Sequence, residues 1–188
     1  MMKSSRRHQA GATLLEALAF LGIAAIIVVG AISMFRAAQG SAQANTMISE
    51  INAFRSTIKT LFASQGSYAI NGTPDVFPAT TTSGLWTILF QNTPGSLPST
   101  IRRVGSSLKN QFGGVTGVRG DDSSFWIFYT QVPQEICLKV APQIGGSWMG
   151  LQINGNAFVD TDTESFPVAT ADAQCTSGTS NTMIFRSR

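Results

Sequence analysis

The sequence predicts an α+β fold in which a long N-terminal helix packs on an antiparallel β-sheet. Three observations lead there. No proline interrupts Thr13 to Gln65, and the second half of that stretch carries one apolar stripe at helical spacing. Beyond it lie β-branched and aromatic runs separated by Gly, Pro and Asn turns, of which FWIFYTQV at 125–132 is the strongest.

Composition narrows the function. The chain has 188 residues, 13 basic against 10 acidic, with 43% apolar and 12% charged residues. That is too apolar for a disordered chain, and it is neither collagen-like nor a dense disulfide scaffold. Lys3, Arg6 and Arg7 lie in the first eleven residues, so the remaining 177 carry ten basic and ten acidic side chains. The excess of +3 is therefore a feature of the N-terminus, and no specific nucleic-acid partner is expected. The single histidine is His8. If the first eleven residues are removed, no imidazole remains for a Ser-His-Asp site or a His-bearing metal site.

Ala12 to Phe35 carries one charge, Glu16, and Ala17 to Phe35 carries none. As helix, 24 residues span roughly 36 Å, enough to cross a bilayer core. The basic residues before it place the N-terminus in the cytoplasm and the bulk of the chain outside. Three readings fit: a cleaved signal peptide ending at Ala42-Gln43-Ala44, a permanent single-span anchor, or a processing site at Gly11-Ala12-Thr13-Leu14-Leu15-Glu16. A carboxylate in the bilayer costs several kcal/mol or shifts its titration, so Glu16 calls for a partner.

From Gly40 the chain turns polar, but Met47, Ile48, Ile51, Phe54, Ile58, Leu61 and Phe62 follow steps of three and four. Gly66 is the expected stop. Gly22, Gly30 and Gly40 are soft points in the helix. Asn71 to Ser83 reads as a loop, and GLWTILFQ at 84–91 as a short helix ended by Pro94-Gly95. Phe112 to Gly120 is glycine-rich and reads as a turn-rich connection between strands; the Lys and Ser/Thr of a phosphate-binding loop are absent. After FWIFYTQV, Pro133 opens a short helix over Gln134–Val140 that Pro142 closes. Trp148 to Ile153 reads as a strand, Asn154-Gly155 as a hairpin turn with Ala157 to Val159 returning, and Thr182 to Phe185 as the last strand.

The block Gly11-Ala12-Thr13-Leu14-Leu15-Glu16 resembles the prepilin processing site of type IV pilins. There a peptidase cuts after the glycine, and a glutamate stands fifth in the mature chain. Leu21-Gly22-Ile23, Gly66-Ser67-Tyr68 and the ending Cys175-Thr176 through Asn181–Arg188 resemble the type IVb group, both toxin-coregulated-pilin-like and PilS-type. Ala12 stands where a larger apolar residue is usual, and the eleven-residue leader is short for the group. The resemblance implies the type IV pilin fold, an αβ-roll, and three segments. These are a leader at 1–11, a helix at 12–66 (12–35 in membrane or filament core, 36–66 amphipathic) and a globular part at 67–188. It implies a structural subunit with no catalytic residue, metal or cofactor. Such a subunit is cut between Gly11 and Ala12 by a prepilin peptidase. It is held in the inner membrane of a Gram-negative bacterium, then passed by the assembly machinery into a homo-oligomeric surface filament for adhesion, aggregation or conjugation. Glu16, Ala12 and Thr13 would act in assembly, Glu16 pairing with the new α-amino group of Ala12 in the next subunit. A type II secretion pseudopilin or minor pilin is the near alternative. A membrane-anchored periplasmic enzyme or binding domain is the alternative of a different class.

Cys137 and Cys175 are the only cysteines. In an exported chain they are expected to pair, as in that family; two free thiols in a cytosolic chain are the alternative. Other patterns carry little. Ser56-Thr57-Ile58-Lys59 and Ser106-Ser107-Leu108-Lys109 match S-x-x-K without its companion motifs. Asp160, Asp162 and Glu164 form an acidic loop, with calcium as the less economical reading. Asn71-Gly72-Thr73 is read as a turn rather than a glycosylation site. Arg102 and Arg103 suit a neighbouring subunit better than DNA.

Overall fold

The computed structural model describes residues 13–68, 97–105, 107–146, 148–176, 178 and 180–188. The leader, the Gly11–Ala12 junction, the 71–83 loop with its Asn71 sequon, the 84–91 helix and Ser106 lie outside the described residues. The chain divides into two compact units, Met1–Gln39 and Gly40–Arg188.

Helix α1 runs Leu14–Phe62. It ends one turn before the expected Gln65: the chain turns over 63–65 and Gly66 takes φ +67°, the left-handed conformation that glycine adopts without strain. Past that turn Tyr68 N–H donates to Asp121 O at 3.1 Å, and its ring sits between Phe62 and Phe125 at 5.7 and 4.9 Å.

In the second unit the strands are β1 Arg102–Val104, β2 Ser107–Lys109, β3 Val115–Gly120, β4 Phe125–Val132, β5 Gly150–Ile153, β6 Val159–Asp160 and β7 Asn181–Ser187. They form one antiparallel sheet in the order β1-β2-β3-β4-β7-β5-β6. Helix α2 is Gln134–Val140, continued by a 3-10 turn at Ala141–Gln143, and α3 is Val168–Gln174.

Alternation along the strands decides which face is dry. Ile127, Phe185, Leu151 and Val118 stand in one cross-strand row, and Tyr129, Met183 and Ile153 in the next. All are fully buried, together with Met47, Ile51, Phe54 and Ile58 of α1, in a single core. The stripe read from sequence is the one that packs, with Ile48 and Leu61 at its margin.

The glycine-rich segment differs from expectation. Val115–Gly120 is a strand paired on both sides, with β2 and β4, rather than a connection. Two flanking strands satisfy its backbone, so its glycines do not need side-chain packing to hold the extended form. Gly114, just before it, is required by close approach: a Cβ there would lie 1.9 Å from Thr130 O. Other elements shift at their ends. The strand expected from Trp148 begins at Gly150, the return strand is Val159–Asp160, and the last strand extends to Asn181–Ser187. Asn154 and Gly155 both take positive φ, as a hairpin turn of the expected kind requires.

Candidate functional site

The local chemistry of the first turn of α1 explains where the helix starts. Thr13 Oγ1 accepts the backbone N–H of Glu16 at 3.3 Å, and Thr13 O accepts that of Ala17. Thr13 is therefore the N-cap and Glu16 the third helical residue, the T-x-x-E arrangement that satisfies orphan donors and places a carboxylate at the positive end of the helix dipole. Two of the three residues expected to act in assembly, Thr13 and Glu16, share this turn; the third, Ala12, lies outside the described residues with Gly11. The T-x-x-E spacing was legible in the sequence and marks a helix start that the processing motif alone does not.

Beyond this turn the helix is apolar on every side. Thirteen of the sixteen exposed large apolar side chains among the described residues lie between Leu14 and Phe35, with Leu14 82% and Ile26 76% exposed. A helix with no polar face is built for lipid or for burial against other helices. By length and composition it can cross a membrane. Glu16 and Arg36 bracket the uncharged run, twenty residues apart, about 30 Å of helix.

In the second unit α1 is clasped at its start. Gly40 is buried, and a Cβ there would meet Lys139 Nζ at 2.9 Å and Glu135 Oε2 at 3.2 Å. Lys139 Nζ donates to Ser41 Oγ at 3.3 Å, and Gln111 Nε2 to Gln43 O at 3.0 Å. Further along, Arg55 Nε donates to Ser187 Oγ at 2.8 Å and its guanidinium lies 5.0 Å above the Trp148 ring, tying α1 to β7. Burial lowers the Arg55 pKa from its ordinary value.

Glu50 is the residue sequence reasoning missed. It is only 3% exposed, on the core stripe beside Met47, Ile51 and Phe54. The signal was its place three residues after Met47 on that stripe. The Tyr129 hydroxyl donates to Glu50 Oε2 at 3.1 Å, and the Thr100 hydroxyl donates to Oε1. Desolvation raises the Glu50 carboxyl above its ordinary value, partly offset by these two hydrogen bonds, and burial beside Glu50 holds the Tyr129 phenol well above its own. Both carboxylate oxygens are engaged, so the group acts as an internal tie. A raised native pKa means that the folded state holds the proton more tightly than the unfolded chain. Its contribution to stability is therefore complete below pH 4.5 and is lost as pH rises through the raised native value. Glu50→Gln is expected to remove this slope, gaining on the wild type by about 1.4 kcal/mol for each unit of the native shift as pH rises. Thermal unfolding of the full chain in detergent, followed from pH 4 to 8, checks it; parallel melting curves for the two proteins would contradict it.

Cys137 on α2 and Cys175 after α3 form a disulfide, with Cα atoms 5.9 Å apart and residues 0% and 2% exposed. The remaining candidates resolve simply. Ser56 and Lys59 face outward while Ile58 fills the core. Ser107 and Lys109 belong to β2. Asp160 and Glu164 are exposed, and Asp162 pairs with Arg188 at 3.2 Å. Among the described residues, no three His, Cys, Asp or Glu side chains converge as metal ligands.

A family model described as PilS N terminal matches residues 41–188. The crystal structure of the type IVb pilin from Salmonella typhi is similar at 22% identity and a TM-score of 0.50, covering 73% of this chain and 96% of that one. TcpA, a type IV pilin from Vibrio cholerae El Tor biotype, is similar at 14% identity and a TM-score of 0.52, covering 78% and 99%. A comparison with curated protein sequences finds no match. At such identities the two structures establish the fold, a long helix on an antiparallel sheet, and the family match adds the lineage. The chain belongs to the PilS family, a pilin family of structural and not catalytic proteins, and shares its fold with type IVb pilins.

Proposed function

We propose that this chain is a prepilin and the major subunit of a type IVb-like pilus, cut between Gly11 and Ala12 and polymerised through Thr13 to Phe35. The observation that carries this reading is the exposed apolar face of Leu14–Phe35, with one carboxylate in its first turn. In the membrane the segment is a single span. In the filament the same surface is buried against neighbouring copies, on the order of a thousand Å² of apolar area at about 25 cal/mol per Å². Lipid already satisfies that surface, so moving it into a filament trades one apolar partner for another and calls for an energised assembly machine.

Glu16 then pairs with the α-amino group of Ala12 in the next copy, and this pairing sets axial register. The compact globular unit, whose described strands form one sheet over one core, supports the major-subunit role, and adhesion, aggregation or conjugation are the uses open to such a filament. The test is to shear surface material from cells that express the chain. It is expected as the dominant protein of thin filaments, and filaments that lack it would refute the reading.

A further inference from the structure

The two edges of the sheet carry opposite charge, and among the described residues Arg102, Arg103, Asp160 and Glu164 form no ion pair. β1 lies at one end of the strand order and β6 at the other, and among the described residues each is paired along one side only. All three residues of β1 are exposed. Arg102 and Arg103 have no acidic partner among the described residues; Arg103 Nε reaches only Gly105 O, at 3.4 Å, within its own turn. Across the strand pair Arg102 stands opposite Lys109, a like-charge pairing that is unfavourable by itself. At the far edge Asp160 and Glu164 are exposed, while Asp162 is taken by Arg188.

Six strand spacings separate the two edges, about 29 Å at ~4.8 Å each, several Debye lengths at physiological salt. The edges therefore cannot compensate each other inside one subunit. Because residues 12–188 hold equal numbers of acidic and basic side chains, the chain is not seeking a polyanion; its charges are segregated.

We infer that the Arg102–Arg103 edge of one subunit docks against the Asp160–Glu164 edge of the next copy of this chain. The contact joins unlike surfaces, and such head-to-tail contacts propagate into open helical assemblies instead of closing as dimers do. The match relieves the Arg102–Lys109 repulsion and gives an orientation that the apolar helix, alike on all sides, does not supply. This inference rests on the filament reading above.

The test uses the full chain in filament-forming cells without a wild-type copy. Both R102E/R103E and D160K/E164K are expected to lower the yield of sheared filaments at least tenfold while the subunit stays folded and at its normal level, since all four residues are exposed and the side-chain bond lost with Asp160, which accepts the Asp162 N–H at 2.9 Å, lies on the surface. The quadruple variant is expected to restore filaments, and so is co-expression of the two double variants, whose edges again meet as opposites. Normal filaments from either double variant would overturn the inference, as would failure of both restorations. Loss with R102E/R103E alone would overturn it too, pointing to another anionic partner, whether nucleic acid or protein. Absence of wild-type filaments would instead sink the filament reading.

Discussion

Glu16→Ala is expected to leave the subunit folded and in the membrane but to reduce surface filaments on the order of a hundredfold or more. The fold is insulated from the change. Glu16 is exposed and contributes to α1 through its position near the helix N-terminus, worth about 0.3–1 kcal/mol, and the Thr13 cap uses its backbone and not its carboxylate. Assembly is not insulated. Once copies pack side by side, the carboxylate and the proposed α-amino partner at Ala12 both lie among apolar side chains. Removing one member of such a pair leaves the other buried and uncompensated, at a cost of about 3–5 kcal/mol. Glu16→Gln separates charge from shape: it keeps the side-chain volume and is expected to fail almost as badly. The measurement is filament yield in the sheared fraction against subunit in the membrane fraction. Normal yield from Glu16→Ala would remove the register role.

The second large effect is on the globular unit. Replacing Cys137 and Cys175 together by serine is expected to lower its stability by about 4 kcal/mol, the chain-entropy value for a closed loop of 38 residues. Against a total of about 5–15 kcal/mol for a domain, that is a large fraction. The location sharpens the expectation. The disulfide joins α2 to the end of α3, directly before the final strand, which crosses the centre of the sheet between β4 and β5. Two further ties hold that region. Gln134 Nε2 donates to Cys175 O at 3.1 Å, and the fully buried Asn181 accepts the Thr176 N–H at 2.8 Å while donating to Val132 O at 3.0 Å. These ties position the entry of β7, and the disulfide keeps it near its place in the unfolded chain. Urea unfolding of the full chain in detergent checks the shift. Thiol labelling of the native exported protein before reduction is expected to give no signal. Stoichiometric labelling, or an unchanged urea midpoint in the double variant, would contradict the account.

What could be read from sequence follows from how local each signal is. The stripe through Met47, Ile51, Phe54 and Ile58 needs only helical periodicity, and it is the packed face. FWIFYTQV supplies its own β-propensity and lies near the centre of the sheet. Pro133 opens α2 because its fixed φ suits a helix start. By contrast, β3 holds two glycines and is a strand only because β2 and β4 lie on either side, information that is not local. β1 and β2, three residues each, are too short for a periodic signal. α3 begins after Pro167 in a run of small residues with no stripe wide enough to announce it. The burial of Glu50 depends on distant partners, since a charge on a core stripe is tolerable only with them, and Tyr129 is 79 residues away. In the assembly segment, the apolar run and its single carboxylate were plain, whereas the pairing of Thr13 with the Glu16 N–H emerged with the helix itself.

The proposed filament subunit keeps its apolar helix and loses only its leader. The most direct test is the intact mass and N-terminal sequence of the chain in sheared filaments. The prediction is a 177-residue species that begins at Ala12, without Lys3, Arg6 and Arg7 and with Glu16 as its fifth residue. A start at Asn45, which would discard Leu14 to Phe35 altogether, or an intact start at Met1, would contradict it.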